Sequence, residues 1–168
     1  MRFFSKTLCM LLSVAVTDAW CGPSAPAAAM HALSYFSGSW ACEGVFPASG
    51  KHIASTMRFD FDLGGAVLVK HHDDRPPSGY RAIEAWGYDQ QEKTYRATVM
   101  DNFGGARRMR SDGWKGKVLR WVVDTDGGPP QQFVYVRLNR NTYRVDWKID
   151  RSGRGLEVGD TLTCRRRS

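Results

Sequence analysis

The densest run of titratable side chains is His71-His72-Asp73-Asp74. On an extended strand successive side chains alternate faces, so His71 shares one side with Asp73 and His72 the other with Asp74. A carboxylate beside an imidazole fixes its tautomer and raises its basicity, which suits a general base or a metal ligand. The run also reads as a solvated strand end entering the Arg75-Pro76-Pro77-Ser78-Gly79 loop. A metal centre needs three or four convergent ligands and this run offers two or three, so no metal site is expected.

A second set of charges stands on otherwise apolar faces. Glu84 alternates in phase with Tyr80, Trp86 and Tyr88, and Asp101 with Tyr95, Ala97 and Val99. Arg120 falls with Val118 and Val122, and Arg137 with Phe133 and Tyr135; Asp146 lies opposite Tyr143, Val145, Trp147 and Ile149. A charge facing a dry core is costly unless paired. Charges of both signs therefore imply either a polar cavity or structural ion pairs at wet sheet ends. The cavity reading makes Trp86, Tyr88, Asp101, Arg120 and Arg137 ligand contacts. It makes His71, Asp73 and Glu84 a candidate acid–base group. His71 reaches the side of Glu84 if its strand keeps Val67 and Val69 inward; if Leu68 faces in, His72 takes its place. The stretch from Asp101 to Arg108 reads as a tight hairpin built on Gly104-Gly105, or as a mouth loop where Asn102 and Arg108 touch an anion.

The elements that must position these groups are strands. The chain has 168 residues, enough for one domain, with 12% aromatic residues and a net charge of +7. Period-two alternation dominates from Ser39 onward. It marks about ten strands: 39–46, 53–62, 66–73, 80–89, 94–101, 106–111, 117–124, 132–138, 142–149 and 160–165, at the spacing of an antiparallel barrel or sandwich. One short helix fits 23–35. Lys and Arg are dispersed rather than clustered, so no nucleic-acid partner is expected. Neither a Gly-x-Ser-x-Gly elbow nor a His-Glu-x-x-His pair occurs.

Residues 1–29 read as a signal peptide: Arg2 and Lys6, then the apolar run Thr7 to Thr17, then small residues allowing cleavage after Ala29 or Ala19. The run is too short to span a bilayer, which needs roughly 20 residues, so no transmembrane segment is expected. The implied location is periplasmic or secreted. Of the four Cys, Cys9 leaves with the signal, Cys21 leaves if cleavage follows Ala29, and Cys42 and Cys164 remain. An even pair in an exported chain reads as a disulfide bond. Joining the ends of the domain requires its first and last strands to be neighbours, as closure of a sheet into a barrel makes them.

Gly38-Ser39-Trp40, after a short helix, resembles the Gly-x-Trp opening of the calycin superfamily, which includes lipocalins, fatty-acid-binding proteins and nitrobindins. Gly64-Gly65 and Trp86-Gly87-Tyr88-Asp89 look like turns of small bacterial lipocalin-like domains of unknown function. The resemblance covers most of residues 33–165 as a pattern. It implies an all-β, antiparallel up-and-down β-barrel with a short N-terminal helix in residues 30–168. It also implies that Trp40 plugs the closed end under a basic residue of the last strand, Arg165 or Arg166. Nitrobindin-like domains hold haem through a His on a late strand, but no His follows His72, so haem is not expected. The cofactor is otherwise unassigned. The expected function is binding of a small apolar or anionic ligand by a monomer. An enzyme (lyase, isomerase or hydrolase) on the same barrel and a filled structural envelope protein are the alternatives.

Overall fold

The computed structural model describes residues 22, 24–125 and 127–167. The apolar run Thr7 to Thr17, Cys9 and Cys21 lie outside the described residues, whereas residues 24–29 of the expected signal peptide lie within them. The chain forms β1 (Gly38–Phe46), β2 (Lys51–Asp62), β3 (Val67–Asp74), β4 (Arg81–Asp89), β5 (Thr94–Asp101) and β6 (Ala106–Ser111). Then follow β7 (Trp114–Lys115), β8 (Val118–Asp124), β9 (Gln131–Asn139), β10 (Thr142–Ile149) and β11 (Glu157–Arg166). Each strand pairs antiparallel with its neighbour in sequence except β6 with β7; β6 pairs directly with β8, and β11 returns to β1. Ten strands thus close a barrel, and the two-residue β7 is a stub beside β8. The arrangement is compatible with a calycin-like fold.

The seam between β1 and β11 sets Cys42 opposite Cys164, and the two form a disulfide. Gly44 lies two residues further along the same inner face. A Cβ there would stand 1.7 Å from the Thr161 carbonyl oxygen, so glycine is what lets β11 pass so close.

One end of the barrel is filled from the N-terminal side. The Ser24 hydroxyl caps α1 (Ala25–Met30), and Pro26 sits in the first turn, where its missing N–H costs nothing. A 3-10 helix (His31–Phe36) continues inward. Met30, Leu33 and Phe36 are fully buried, and the Phe36 ring lies 5.3–5.4 Å from those of Phe59, Trp86, Trp114, Tyr135 and Tyr143. Trp40 closes this end. Its Nε1 donates to the Phe36 carbonyl at 2.6 Å, and the Arg166 guanidinium lies 4.2 Å from its ring centre. Arg166 also donates to the Tyr35 and Ser37 carbonyls. The last-strand basic residue is therefore Arg166, while Arg165 is exposed.

Two strands face opposite to expectation. In β3 the inward residues are Leu68, Lys70, His72 and Asp74, while Val67, Val69, His71 and Asp73 stand outside. The β2–β3 connection is the physical reason. It pairs Asp62 with Val67, cross-strand partners share a face, and Asp62 lies on the charged outer face with Arg58 and Asp60. In β8 Leu119, Trp121 and Val123 are buried, so Arg120 is exposed. Burying an indole and a leucine outweighs burying Val118 and Val122.

Candidate functional site

With one end filled, the space above the Phe36 layer remains. It is a cavity of about 260 Å³ opening at the other end, where the β1–β2, β3–β4 and β5–β6 connections lie. Its apolar walls come from inward residues such as Ile53, Met57, Val99, Val145 and Leu162, with Phe46 and Phe133 towards the mouth. Four polar groupings interrupt them.

The floor holds an ion pair. Lys70 Nζ lies 2.7 Å from Glu84 Oε1 and donates to the Tyr135 hydroxyl at 3.2 Å, while Trp86 Nε1 donates to Glu84 Oε2 at 2.8 Å. The two charged side chains are only 4% and 8% exposed, so neither can exchange its partner for water. Burial alone would raise the Glu84 carboxyl, but the Lys70 charge and the two hydrogen bonds outweigh it and hold it below the ordinary value. Burial pushes the Tyr135 phenol well above its own, so it stays protonated.

Above the floor, His72 Nε2 lies 2.9 Å from Asp74 Oδ1. The Ser55 and Ser78 hydroxyls donate to Asp74 at 2.6 Å each. Burial would raise Asp74, yet these three partners hold it below the usual carboxylate range. On a neighbouring wall Arg107 donates to the Tyr80 hydroxyl at 2.7 Å and to Asp101 at 3.1 Å, and its buried Nε has no hydrogen-bond partner among the described residues.

The fourth grouping is Asp160 with Trp147, directly opposite it in register. The next register step pairs Lys148 with Val158, so Gly159 is an extra residue bulged out of β11. A Cβ on Gly159 would lie 2.5 Å from the Trp147 ring, so glycine lets the indole lie against the strand beside Asp160. Burial raises the Asp160 carboxyl to about 6 against a hydrogen bond from the Trp147 backbone; the nearby Asp74 charge adds to the rise.

Of the residues expected from sequence, Glu84 lines the cavity. His71 and Asp73 lie along an outer groove instead, because of the β3 register. Trp86 is fully buried under the floor, touching the cavity only through Glu84. Tyr88 packs edge-on against Tyr95 at 5.1 Å, away from the cavity. Asp101 accepts from the Phe103 and Gly105 amides and so builds the β5–β6 turn while holding Arg107. Asn102 ties that turn to its neighbour, accepting from the Arg81 amide and donating to the Gly79 carbonyl. Arg108 stands outside, opposite Thr98 and Asp124 in register, and Arg120 is exposed. Arg137 belongs to the closed end, 3.6 Å from the Trp114 ring centre and 4.5 Å from that of Tyr35. His72, the stated alternative to His71, lines the cavity; so do Lys70, Asp74, Tyr80, Arg107, Trp147 and Asp160, which the sequence reading does not name as its contacts. No group of three or more metal-ligating side chains occurs among the described residues.

Comparison of the chain with protein-family models gives no match, and comparison with curated proteins gives none either.

Proposed function

We propose that the protein is an exported, calycin-like barrel that binds a small amphipathic molecule. One observation carries the reading: a barrel filled at one end retains a cavity of about 260 Å³ at the other, apolar in its walls and polar at a few fixed points. Sites for drug-sized ligands hold about 300–1,000 Å³, so this one suits a molecule of one or two rings or a short chain. A cavity of this kind argues against a filled structural core. Arg108, Arg120 and Arg137, from which an anionic ligand was expected, stand elsewhere, and the cavity's Lys70 and Arg107 are already held by carboxylates. A neutral or cationic ligand fits better than an anion.

Export is supported by the apolar run from Thr7 to Thr17 and by the Cys42–Cys164 bond. Among the described residues no helix is long and apolar enough to cross a membrane. Ala27 is buried, and the Ala29 carbonyl accepts from the Tyr95 hydroxyl at 3.0 Å. Cleavage after Ala19 would keep that packing, so we place it there; N-terminal sequencing of the exported chain tests it.

The binding test is calorimetry with neutral aromatic alcohols such as 2-phenylethanol. A Kd of about 1 mM or tighter, abolished by Val99→Trp, is expected. No binding by wild type, or binding unchanged by the cavity-filling variant, overturns the reading. A second reading, acid–base catalysis, is favoured by His72 held 2.9 Å from Asp74 at the cavity wall. It predicts deuterium exchange from heavy water into small aryl ketones, lost in His72→Gln. Exchange at the buffer rate removes it.

A further inference from the structure

The cavity's ionic groups do not balance. Glu84 is matched by Lys70, and Asp101, just outside, is matched by Arg107. Asp74 is hydrogen-bonded to His72 and two hydroxyls. Among the described residues Asp160 has no cation within ion-pair distance. What holds it is the backbone N–H of Trp147. The Trp147 indole lies beside it, and the charges of Asp74 and Lys70 act on it from farther away. A half-buried carboxylate without a close counter-ion is a cost to the fold, and such costs mark places where a bound group completes the arrangement.

We infer, resting on the binding reading above, that the ligand is a small organic ammonium ion whose nitrogen pairs with Asp160 while its apolar body lies against Trp147 and Phe133. The groups facing this position make the assignment specific. From β3 come Lys70, His72 and Asp74, from β4 Glu84, from β6 Arg107 and from β9 Tyr135, while Asp146 of β10 lies behind the wall beside Arg144. Lys70 and Arg107 are each engaged by a carboxylate, so they repel an incoming ammonium less than free cations would. Asp74 adds negative potential around Asp160, while that of the more distant Asp146 is offset by Arg144, 3.2 Å from it. An anion placed here would meet Asp160 with no free cation to offset it. The aromatic faces around the site suit a cation as well as an apolar body.

The test compares three probes of nearly one shape on the full chain by calorimetry: 2-phenylethylamine, 2-phenylethanol and 3-phenylpropionate. At pH 7.5 the amine is expected to bind about 10–100-fold tighter than the alcohol, the range of a charge-assisted hydrogen bond, with the acid weakest. Asp160→Asn should erase the amine's advantage and leave the alcohol's affinity within about threefold. The wild-type advantage should also shrink on acidification from pH 7.5 to pH 5, where Asp160 is largely protonated while the amine, with a pKa near 10 like that of Lys, stays charged. Alcohol binding without an amine preference, a preference that survives Asp160→Asn, or an acid that binds best overturns the inference while leaving the binding cavity standing. Failure of all three probes overturns both. The wild-type series stands alone should the variant not fold.

Discussion

Breaking the ion pair on the cavity floor should destabilise the protein more than removing it altogether. At 2.7 Å and an effective dielectric constant of about 20, Lys70 and Glu84 attract by roughly 6 kcal/mol. Burying both ions costs a comparable amount, so the intact pair is near break-even. Either half alone keeps its desolvation cost and loses the attraction. In Glu84→Gln the ammonium retains the Tyr135 hydroxyl at 3.2 Å and the ring faces of Phe59 and Tyr135, whose centres lie 5.9 and 5.8 Å away. These contacts recover part of the loss, and the expected cost is about 3–4 kcal/mol. In Lys70→Met the carboxyl keeps Trp86 Nε1 as donor and can take up a proton, which caps its cost at about 3 kcal/mol. The double variant leaves no buried charge on the floor and still offers Trp86 an acceptor, so it should lose only about 1–2 kcal/mol. Urea unfolding followed by tryptophan fluorescence at pH 7 reads all three. The acid side supplies a sign. Glu84 is held below its ordinary value in the native protein, so its contribution is full above the unfolded value and fades as pH falls through the folded one. Without Lys70 the carboxyl is raised and its penalty disappears on protonation. The deficit of Lys70→Met against wild type should therefore narrow between pH 7 and pH 4. Single losses below about 1 kcal/mol each, or a double variant that loses their sum, would refute the reasoning.

Asp160→Asn should stabilise the unliganded protein at pH 8. A carboxyl raised from 3.8 to about 6 binds more protons folded than unfolded, so wild-type stability falls as pH rises through that window, by up to about 3 kcal/mol. The variant's advantage should be present at pH 8 and absent at pH 3; equal denaturation midpoints at pH 8 would contradict it. Replacing Cys42 and Cys164 by Ser opens a link between residues 122 apart and should cost up to about 4–5 kcal/mol on the chain-entropy account. Thiol titration of the denatured, unreduced wild type should find neither cysteine free. Trp40→Ala removes a fully buried indole, its bond to Phe36 and the surface on which Arg166 rests, for a loss of about 3–5 kcal/mol. A variant melting at the wild-type temperature would mean that Trp40 does not close the barrel.

The strands were legible because a half-buried strand imposes alternation, and the Cys pair was legible because a barrel brings its first and last strands together. Facing was legible only where one face was clearly more apolar. In 81–89 the choice between Trp86 and the alternating Arg81 and Ile83 was easy, and Glu84 was placed inward. In 67–74 the apolar residues divide between both faces, so His71 was favoured over His72. The signal that could have settled it was the short connection after Asp62, which hands the outer face on to Val67. Lys70 and Asp74 followed from that same step. Asp160 was legible in phase, since it alternates with the inward Leu162 and Cys164, but the strand was read as starting there because the Gly159 bulge leaves no period running back to Glu157. The two-residue β7 is too short to show a period.

Because β1 begins and β11 ends at the closed end of the barrel, with Trp40 opposite Arg166, the chain enters and leaves the sheet side by side. The Cys42–Cys164 link lies two residue pairs inward from there. Tension applied between the two ends of the chain would first pull away the Ala25–Phe36 segment. It would next part Trp40 from Arg166 and Ala41 from Arg165, and then meet a covalent bond. Everything between Cys42 and Cys164, the whole cavity included, would carry no load. In the reduced protein the same pull would open the seam like a zip, one rung at a time along β1 and β11, and release the barrel from its joint. A single bond thus decides whether a tethered copy keeps its cavity under force or unravels.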